Sequence, residues 1–395
     1  MPLIDRCHNV EDMRAAARAR LPRGLFEYVD RGSEDEVALR GNRRAFERLK
    51  LKTRFLVDLR RRDLGTMLFG RRVELPLAVA PTGLAGLLCT HGELAMARAA
   101  ARSGIPSSVT FGAVTSMERI AREPEGRLWF QVYMWPQQEL VHDMVRRAQA
   151  LGRYDALIVT IDSALGRTRE HNLRNRFAVP VEINPRTLLD AALRPGWLAR
   201  VMLPYWLSGG MPVHENFPPP YRRIVAPLGG RGGGEPPRHE GMVWDDMRTL
   251  RSLWHGTLIV KGVLSEEDAA RAVDCGADGI VVSNHGGRAM DSAVATIDIL
   301  PAIARTVQGR CTILLDSGVR RGSDIAKALA LGAHAVMIGR ATLYGLAAGG
   351  QAGAERVVAI LRSEFEKTMG YLGARSVAEL GPHIFASPLP SGEAP

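Results

Sequence analysis

The sequence predicts an α/β fold: a (β/α)8 TIM barrel with an N-terminal helical lead-in and a long excursion after its fourth strand. Three observations carry that expectation. Short, near-continuous apolar runs rich in Val, Ile and Leu recur from residue 75 onward. Amphipathic helical stretches separate most of them, the pattern of parallel strands covered by helices. At 395 residues and 46% hydrophobic content, the chain has the length and the core for one large barrel domain.

Residues 1–74 read as the helical lead-in. Positions 10–21 have helical spacing, and Leu25-Phe26-Glu27-Tyr28-Val29 is an aromatic-rich segment that ends at Gly32. The barrel spans 75–380, with strands at 75–80, 105–110, 128–133, 156–162, 258–261, 279–283, 312–316 and 335–338. Capping boxes at Thr90-x-x-Glu93 and Ser265-x-x-Asp268 mark two helix starts. Residues 381–395 are a tail. The insertion at 180–245 is rich in Pro and Gly (Pro218-Pro219-Pro220, Gly232-Gly233-Gly234) and is expected to contain a mobile loop. In its first half, 186–210, Leu188, Leu189, Leu193, Trp197, Trp206 and Leu207 interleave with Arg186, Arg194 and Arg200. That segment fits a membrane surface, a cover over the barrel mouth or an oligomer interface. Pro195 and Pro204 are expected to break any long helix there.

The formal net charge of +10 favours acidic partners. Its Lys and Arg residues are dispersed, however, with no basic block, RNA-binding aromatic motif or zinc finger, so nucleic acid is not an expected partner. Cys7, Cys89, Cys275 and Cys311 lie far apart without a C-x-x-C, and read as single thiols in a reducing compartment with no metal site. The N-terminus has no signal-peptide core and no run is long enough to span a bilayer, so the expected location is cytoplasmic.

In such a barrel the active site lies at the carboxyl ends of the strands. Those ends read Pro81-Thr82-Gly83, Thr110, Gln131 with Tyr133, Thr160 with Asp162 (Arg169 following), Lys261, Ser283 with His285, Asp316-Ser317-Gly318, and Gly339-Arg340. Polar residues at every end of an otherwise apolar pattern are hard to explain as packing. The stretch 281–291, V-V-S-N-H-G-G-R-A-M-D, opens a buried strand directly into a histidine, two glycines and Arg288, which suits a base and a carboxylate clamp at one rim. Loops after the seventh and eighth strands, carrying Arg320 and Arg340, suit a phosphate.

Ser283-Asn284-His285-Gly286-Gly287-Arg288, together with Pro81-Thr82-Gly83, Gln131-Val132-Tyr133, Val260-Lys261-Gly262 and Asp316-x-Gly318-x-Arg320, resembles the FMN-dependent 2-hydroxy-acid oxidase and dehydrogenase family. Within it, Gly83, Asp316-Ser317-Gly318 and residues 340–346 are most similar to the (S)-mandelate dehydrogenase branch, whose membrane-associating segment falls where 189–197 lies here. The resemblance implies FMN as cofactor and oxidation of an (S)-2-hydroxy acid to the 2-oxo acid. It makes His285 the base, oriented by Asp162, and places Arg169 and Arg288 on the substrate carboxylate with Tyr28 and Tyr133 beside the substrate. Lys261 would lie near flavin N1 and O2. Pro81, Thr82, Gly83, Thr110, Gln131, Tyr133, Thr160 and Ser283 would line the flavin ring and ribityl chain. Asp316, Ser317, Gly318, Val319, Arg320, Gly339 and Arg340 would contact the ribityl chain and phosphate. Gly83 and Gly112 imply a roomy pocket and an aromatic substrate such as mandelate; lactate or glycolate, or a non-catalytic phosphate-binding barrel, are the alternatives. The electron acceptor is a quinone or dioxygen. A homo-oligomer, a tetramer in the family, and a peripheral contact with the inner membrane face through 186–210 complete what the likeness implies.

Overall fold

The computed structural model describes residues 3–123, 125–226 and 239–386. Every expected barrel strand is present. They are β3 (Leu77–Val79), β4 (Ser107–Thr110), β5 (Leu128–Val132), β6 (Tyr154–Thr160), β7 (Thr257–Val263), β8 (Gly279–Val282), β9 (Thr312–Leu315) and β10 (Ala335–Ile338). All pair in parallel, and β10 closes onto β3. Alternate residues serve two cores. Ala78, Trp129, Ile158, Ile259, Val281, Leu314 and Met337 fill the barrel interior. Their neighbours Leu77, Phe130, Leu157, Val260, Ile280, Ile313 and Val336 face the helices. Burial of both faces is why the strands read as unbroken apolar runs.

The lead-in is only partly helical. Helices form at Val10–Arg20, Arg23–Asp30 and Val37–Arg48, but 66–73 is a hairpin of β1 (Thr66–Leu68) and β2 (Arg71–Val73). Phe69 and Gly70 turn it with φ of 51° and 71°, the left-handed pair a two-residue hairpin needs. Three-residue strands are too short to show a period in sequence. The hairpin closes the amino end of the barrel: Leu68 and Val73 join the interior core, and Phe69 meets Trp129 edge-on at 5.8 Å.

The helices of the lead-in are tied to the opposite rim. Asp291 accepts from the amides of Val37 and Ala38, capping that helix. Asn42 and Asn284 exchange side-chain amide hydrogen bonds of 2.9 and 2.8 Å. Ser265 caps its helix as expected. Thr90 does not: the helix begins at Gly92 after His91, and the buried Glu93 instead accepts from Gly86 N, Val114 N and Thr115 Oγ1.

The described part of the excursion is ordered around short helices. After the helix Pro185–Ala192, the chain is helical from Pro195 to Ser208, passing through a π turn at Leu198–Met202. Pro195 starts that run, and Pro204 does not break it because the wider turn just before it absorbs the missing amide. Residues 227–238, which include the Gly232–Gly234 run, lie outside the described residues.

Candidate active site

The polar floor follows from strand period. On β5 to β9 the inward residues Trp129, Ile158, Ile259, Val281 and Leu314 are each followed, two positions on, by Gln131, Thr160, Lys261, Ser283 and Asp316. These form one layer. Thr110 Oγ1 donates to Gln131 Oε1 at 2.7 Å, and Gln131 Nε2 donates to Thr160 Oγ1 at 3.1 Å. Lys261 Nζ donates to Ser283 Oγ and pairs with Asp316 Oδ2, both at 2.9 Å. Burial opposes the lysine's charge, but Asp316 and Asp162 raise its pKa and keep it protonated.

One layer higher, His285 Nδ1 lies 2.7 Å from Asp162 Oδ1. Asp162 is buried, yet His285 and then Lys261 and Arg167 hold its pKa below the ordinary carboxylate range. Burial first, then Arg167, pushes His285 down, against the upward pull of Asp162. The ring is therefore neutral at neutral pH. The carboxylate fixes hydrogen on Nδ1 and leaves Nε2 as a lone-pair acceptor. Tyr133 stacks beside the ring, centroids 6.4 Å apart. His285 has a φ of 57°, followed by Gly286 and Gly287 at 69° each. A Cβ on Gly287 would lie 2.5 Å from Leu39 N, so only glycine admits the lead-in helix here.

Two guanidinium groups grip one phenol ring. The carbons of Arg169 and Arg288 each lie 5.4 Å from the Tyr28 centroid. Arg288 Nη1 also donates to the carbonyls of Tyr28 and Val29, at 2.7 and 2.9 Å. Burial, then Arg169 and Arg340, lowers its pKa.

A cavity of about 550 Å³ joins these groups. Of the site residues expected from sequence, Gln131, Thr160, Asp162 and Ser283 do not line it; they are bonded behind those that do. Among the lining residues that sequence reasoning missed, five matter most for the chemistry and shape of the site. Arg167 approaches His285 Nδ1 to 3.4 Å and donates to Ser163 Oγ. Phe111, Trp135, His214 and Phe217 build an aromatic wall. Phe111 and Trp135 lie just past strand ends and were legible as aromatics at a rim. His214 and Phe217 come from the excursion, where no period reports position. They also correct the expectation of extra room at Gly112: a Cβ there would lie 3.3 Å from Phe217 Cζ and 3.7 Å from His214 Nδ1, so the excursion fills that space.

A closed barrel with a carboxylate-held histidine, paired arginines and an aromatic wall around one cavity is the architecture of a barrel oxidoreductase acting on small acids. The chain belongs to the FMN-dependent dehydrogenase family, which it matches over residues 17–387. It is 40% identical to the (S)-mandelate dehydrogenase of Pseudomonas putida, covering 95% of this chain and 92% of that one. It is 38% identical to the L-lactate dehydrogenase of Vibrio cholerae, with 93% and 96% covered. The crystal structure of the monotopic membrane protein (S)-mandelate dehydrogenase superposes with a TM-score of 0.87 at 39% identity, over 96% of this chain and 99% of that one.

The cavity fits the family's FMN. Gly83 leaves open space, with nothing within 4 Å of an added Cβ, on a wall where a flat ring can lie. The helix starting at Arg340 has no side-chain cap, leaving its first amides for a phosphate. The loop after the seventh strand is less free, because Asp324 takes the amides of Arg320 and Arg321, and Glu364 takes that of Gly322. Arg340 is committed as well, donating to the carbonyls of Val29, Gly286 and Arg31. That leaves the Arg320 guanidinium as the more available cation.

Proposed function

We propose that this enzyme oxidises an (S)-2-hydroxy acid with an aromatic side chain to the corresponding 2-oxo acid. The observation that carries the reading is the placement of His285, backed by Asp162 from behind the wall, and of the Arg169–Tyr28–Arg288 grip around one cavity with an aromatic wall. The arginines bind the substrate carboxylate through charge-assisted hydrogen bonds. Tyr28 and Tyr133 confine the reacting carbon beside His285, whose Nε2 takes the hydroxyl proton. Asp162 stabilises the imidazolium so formed. Bound FMN supplies the two-electron acceptor for the hydrogen leaving Cα. Lys261 holds a positive charge at the floor where the flavin ring would rest. Pro81, Thr82, Gly83 and Thr110 shape the wall for that ring, and the 316–320 and 339–340 loops hold the ribityl chain and phosphate.

Anaerobic mixing of the FMN-loaded enzyme with (S)-mandelate, (R)-mandelate, lactate and glycolate, followed by loss of flavin absorbance, tests this. Fastest bleaching by (S)-mandelate is expected. Equal or faster bleaching by lactate would move the substrate to the small-acid class that the L-lactate dehydrogenase relatives act on, and no bleaching by any acid sinks the reading.

We further infer a peripheral membrane contact, with a quinone as electron acceptor. No helix among the described residues is long and apolar enough to cross a bilayer. Leu188, Leu189, Leu193, Leu203, Trp206 and Leu207 are nevertheless all exposed on the short helices of the excursion. Arginines border them, and Trp197 and Tyr205 anchor the segment inward on Leu87 O and Gly86 O. Co-sedimentation with anionic vesicles, weakened by Leu189→Glu and Trp206→Glu together, supports this. Equal recovery in the supernatant with and without vesicles overturns it.

A further inference from the structure

The reaction uses the polar end of the cavity, but the aromatic end holds a polar group with no part in it. His214 is buried against Phe217, ring centroids 4.7 Å apart, and lines the cavity. Its Nδ1 lies 2.7 Å from the carbonyl oxygen of Gly112. A carbonyl can only accept, so Nδ1 carries the hydrogen. Burial holds the ring neutral, its pKa pushed down to about 4. A neutral imidazole protonated on Nδ1 presents a bare lone pair at Nε2.

Among the described residues no hydrogen bond reaches Nε2, which keeps access to the cavity that His214 lines. The wall around it is aromatic: Phe111 packs on Phe217 at 4.8 Å, Trp135 on Phe217 at 5.0 Å, and Gly112 has no side chain. An acceptor open to the cavity loses its water when an apolar ring edge covers it, a cost that such a ring does not offset. It gains what it lacks when a ligand brings a donor.

We propose that His214 is a specificity residue whose Nε2 accepts a hydrogen bond from a hydroxyl on the far side of the substrate ring, so that the preferred substrate is a ring-hydroxylated aryl 2-hydroxy acid. This rests on the reading of the cavity as a site for aryl 2-hydroxy acids. A site built around a buried polar group rejects an analogue lacking the matching donor more strongly than an apolar wall rejects an added hydroxyl.

The test compares kcat/KM of the holoenzyme for mandelate, 3- and 4-hydroxymandelate and the matching methoxymandelates, whose ether oxygen can accept but not donate. One hydroxymandelate is expected to exceed both mandelate and its methoxy analogue by about tenfold, the return of one neutral hydrogen bond. In His214→Leu that ratio falls to about one, and in His214→Gln, which keeps an acceptor, part of it returns. A wild-type ratio near one, or a ratio that survives His214→Leu, overturns the proposal while bleaching by mandelate leaves the parent reading standing. Failure of every aryl acid to bleach the flavin removes the parent reading first. Should His214→Leu not fold, the hydroxyl-to-methoxyl ratio of the wild type decides alone.

Discussion

Lys261 Nζ lies 2.9 Å from Asp316 Oδ2, although Lys261 is on β7 and Asp316 just past the end of β9, strands that are not neighbours. The intervening strand leads into Ser283, whose Oγ accepts from the same ammonium. The cation at the floor of the site is thus a shared charge, held by a carboxylate that is itself fixed by Ser317. Removing the lysine alone strands Asp316 as a buried anion.

Lys261→Met is therefore expected to do two separable things: lower kcat by roughly 100-fold, as loss of a preorganised charge does, and lower the unfolding midpoint. Lys261→Met combined with Asp316→Asn removes the stranded anion. The midpoint recovers in the double variant and the rate does not. Parallel recovery of both, by calorimetry and steady-state kinetics, would show that the lysine serves folding only.

Arg167 gives a prediction in pH. His285 must be neutral to accept a proton, and its pKa is depressed by burial and then by Arg167. Activity is consequently lost as pH falls through that lowered value. Arg167→Gln removes a repelling charge, raises the histidine pKa and moves the acid limb of kcat/KM to higher pH. Asp162→Asn has the opposite sign, because it removes the anion that raises the pKa, and it also frees the ring to turn. An unmoved limb in Arg167→Gln would place Arg167 outside the histidine's field.

Arg288 already gives one terminal nitrogen to two backbone carbonyls. Lysine could not hold those carbonyls and a carboxylate together. Arg288→Lys is expected to lower kcat/KM about 100-fold for every 2-hydroxy acid, chiefly through KM. A preserved KM would remove Arg288 from carboxylate binding.

Sequence exposes what strand period and rim position control. Each barrel strand was visible because both its faces are buried, and the polar floor because Gln131, Thr160, Lys261, Ser283 and Asp316 interrupt that pattern at a common height. The β1–β2 hairpin escaped because three-residue strands carry no period. His214 and Phe217 escaped because an excursion can return to the site from any distance along the chain. The partition of Arg340 among three carbonyls also lay beyond sequence, since a conspicuous arginine beside a glycine reads equally as a phosphate ligand or a backbone clamp.

That clamp depends on a buried carboxylate in the lead-in, paired with a partly exposed arginine. Asp30 accepts from Arg14 Nε and Nη2 at 2.6 and 2.7 Å and from Tyr344 OH at 2.6 Å. Burial alone would raise its pKa, but Arg14 and Tyr344 hold it below the ordinary value. A depressed carboxylate contributes stability above its unfolded pKa of about 3.9 and loses it as pH falls through the folded value. Asp30→Ala is expected to cost about 1–2 kcal/mol at neutral pH, the scale for losing hydrogen bonds to a buried carboxylate whose arginine partner stays partly in water. The difference from wild type should narrow below pH of about 4. Because Val29 and Arg31 flank Asp30 and hold Arg340, the variant should also release FMN more readily. Unfolding midpoints across pH, read beside flavin fluorescence, check both. A gap that stays constant with pH would make Asp30 a packing residue, and unchanged flavin release would separate the lead-in from the phosphate end of the site.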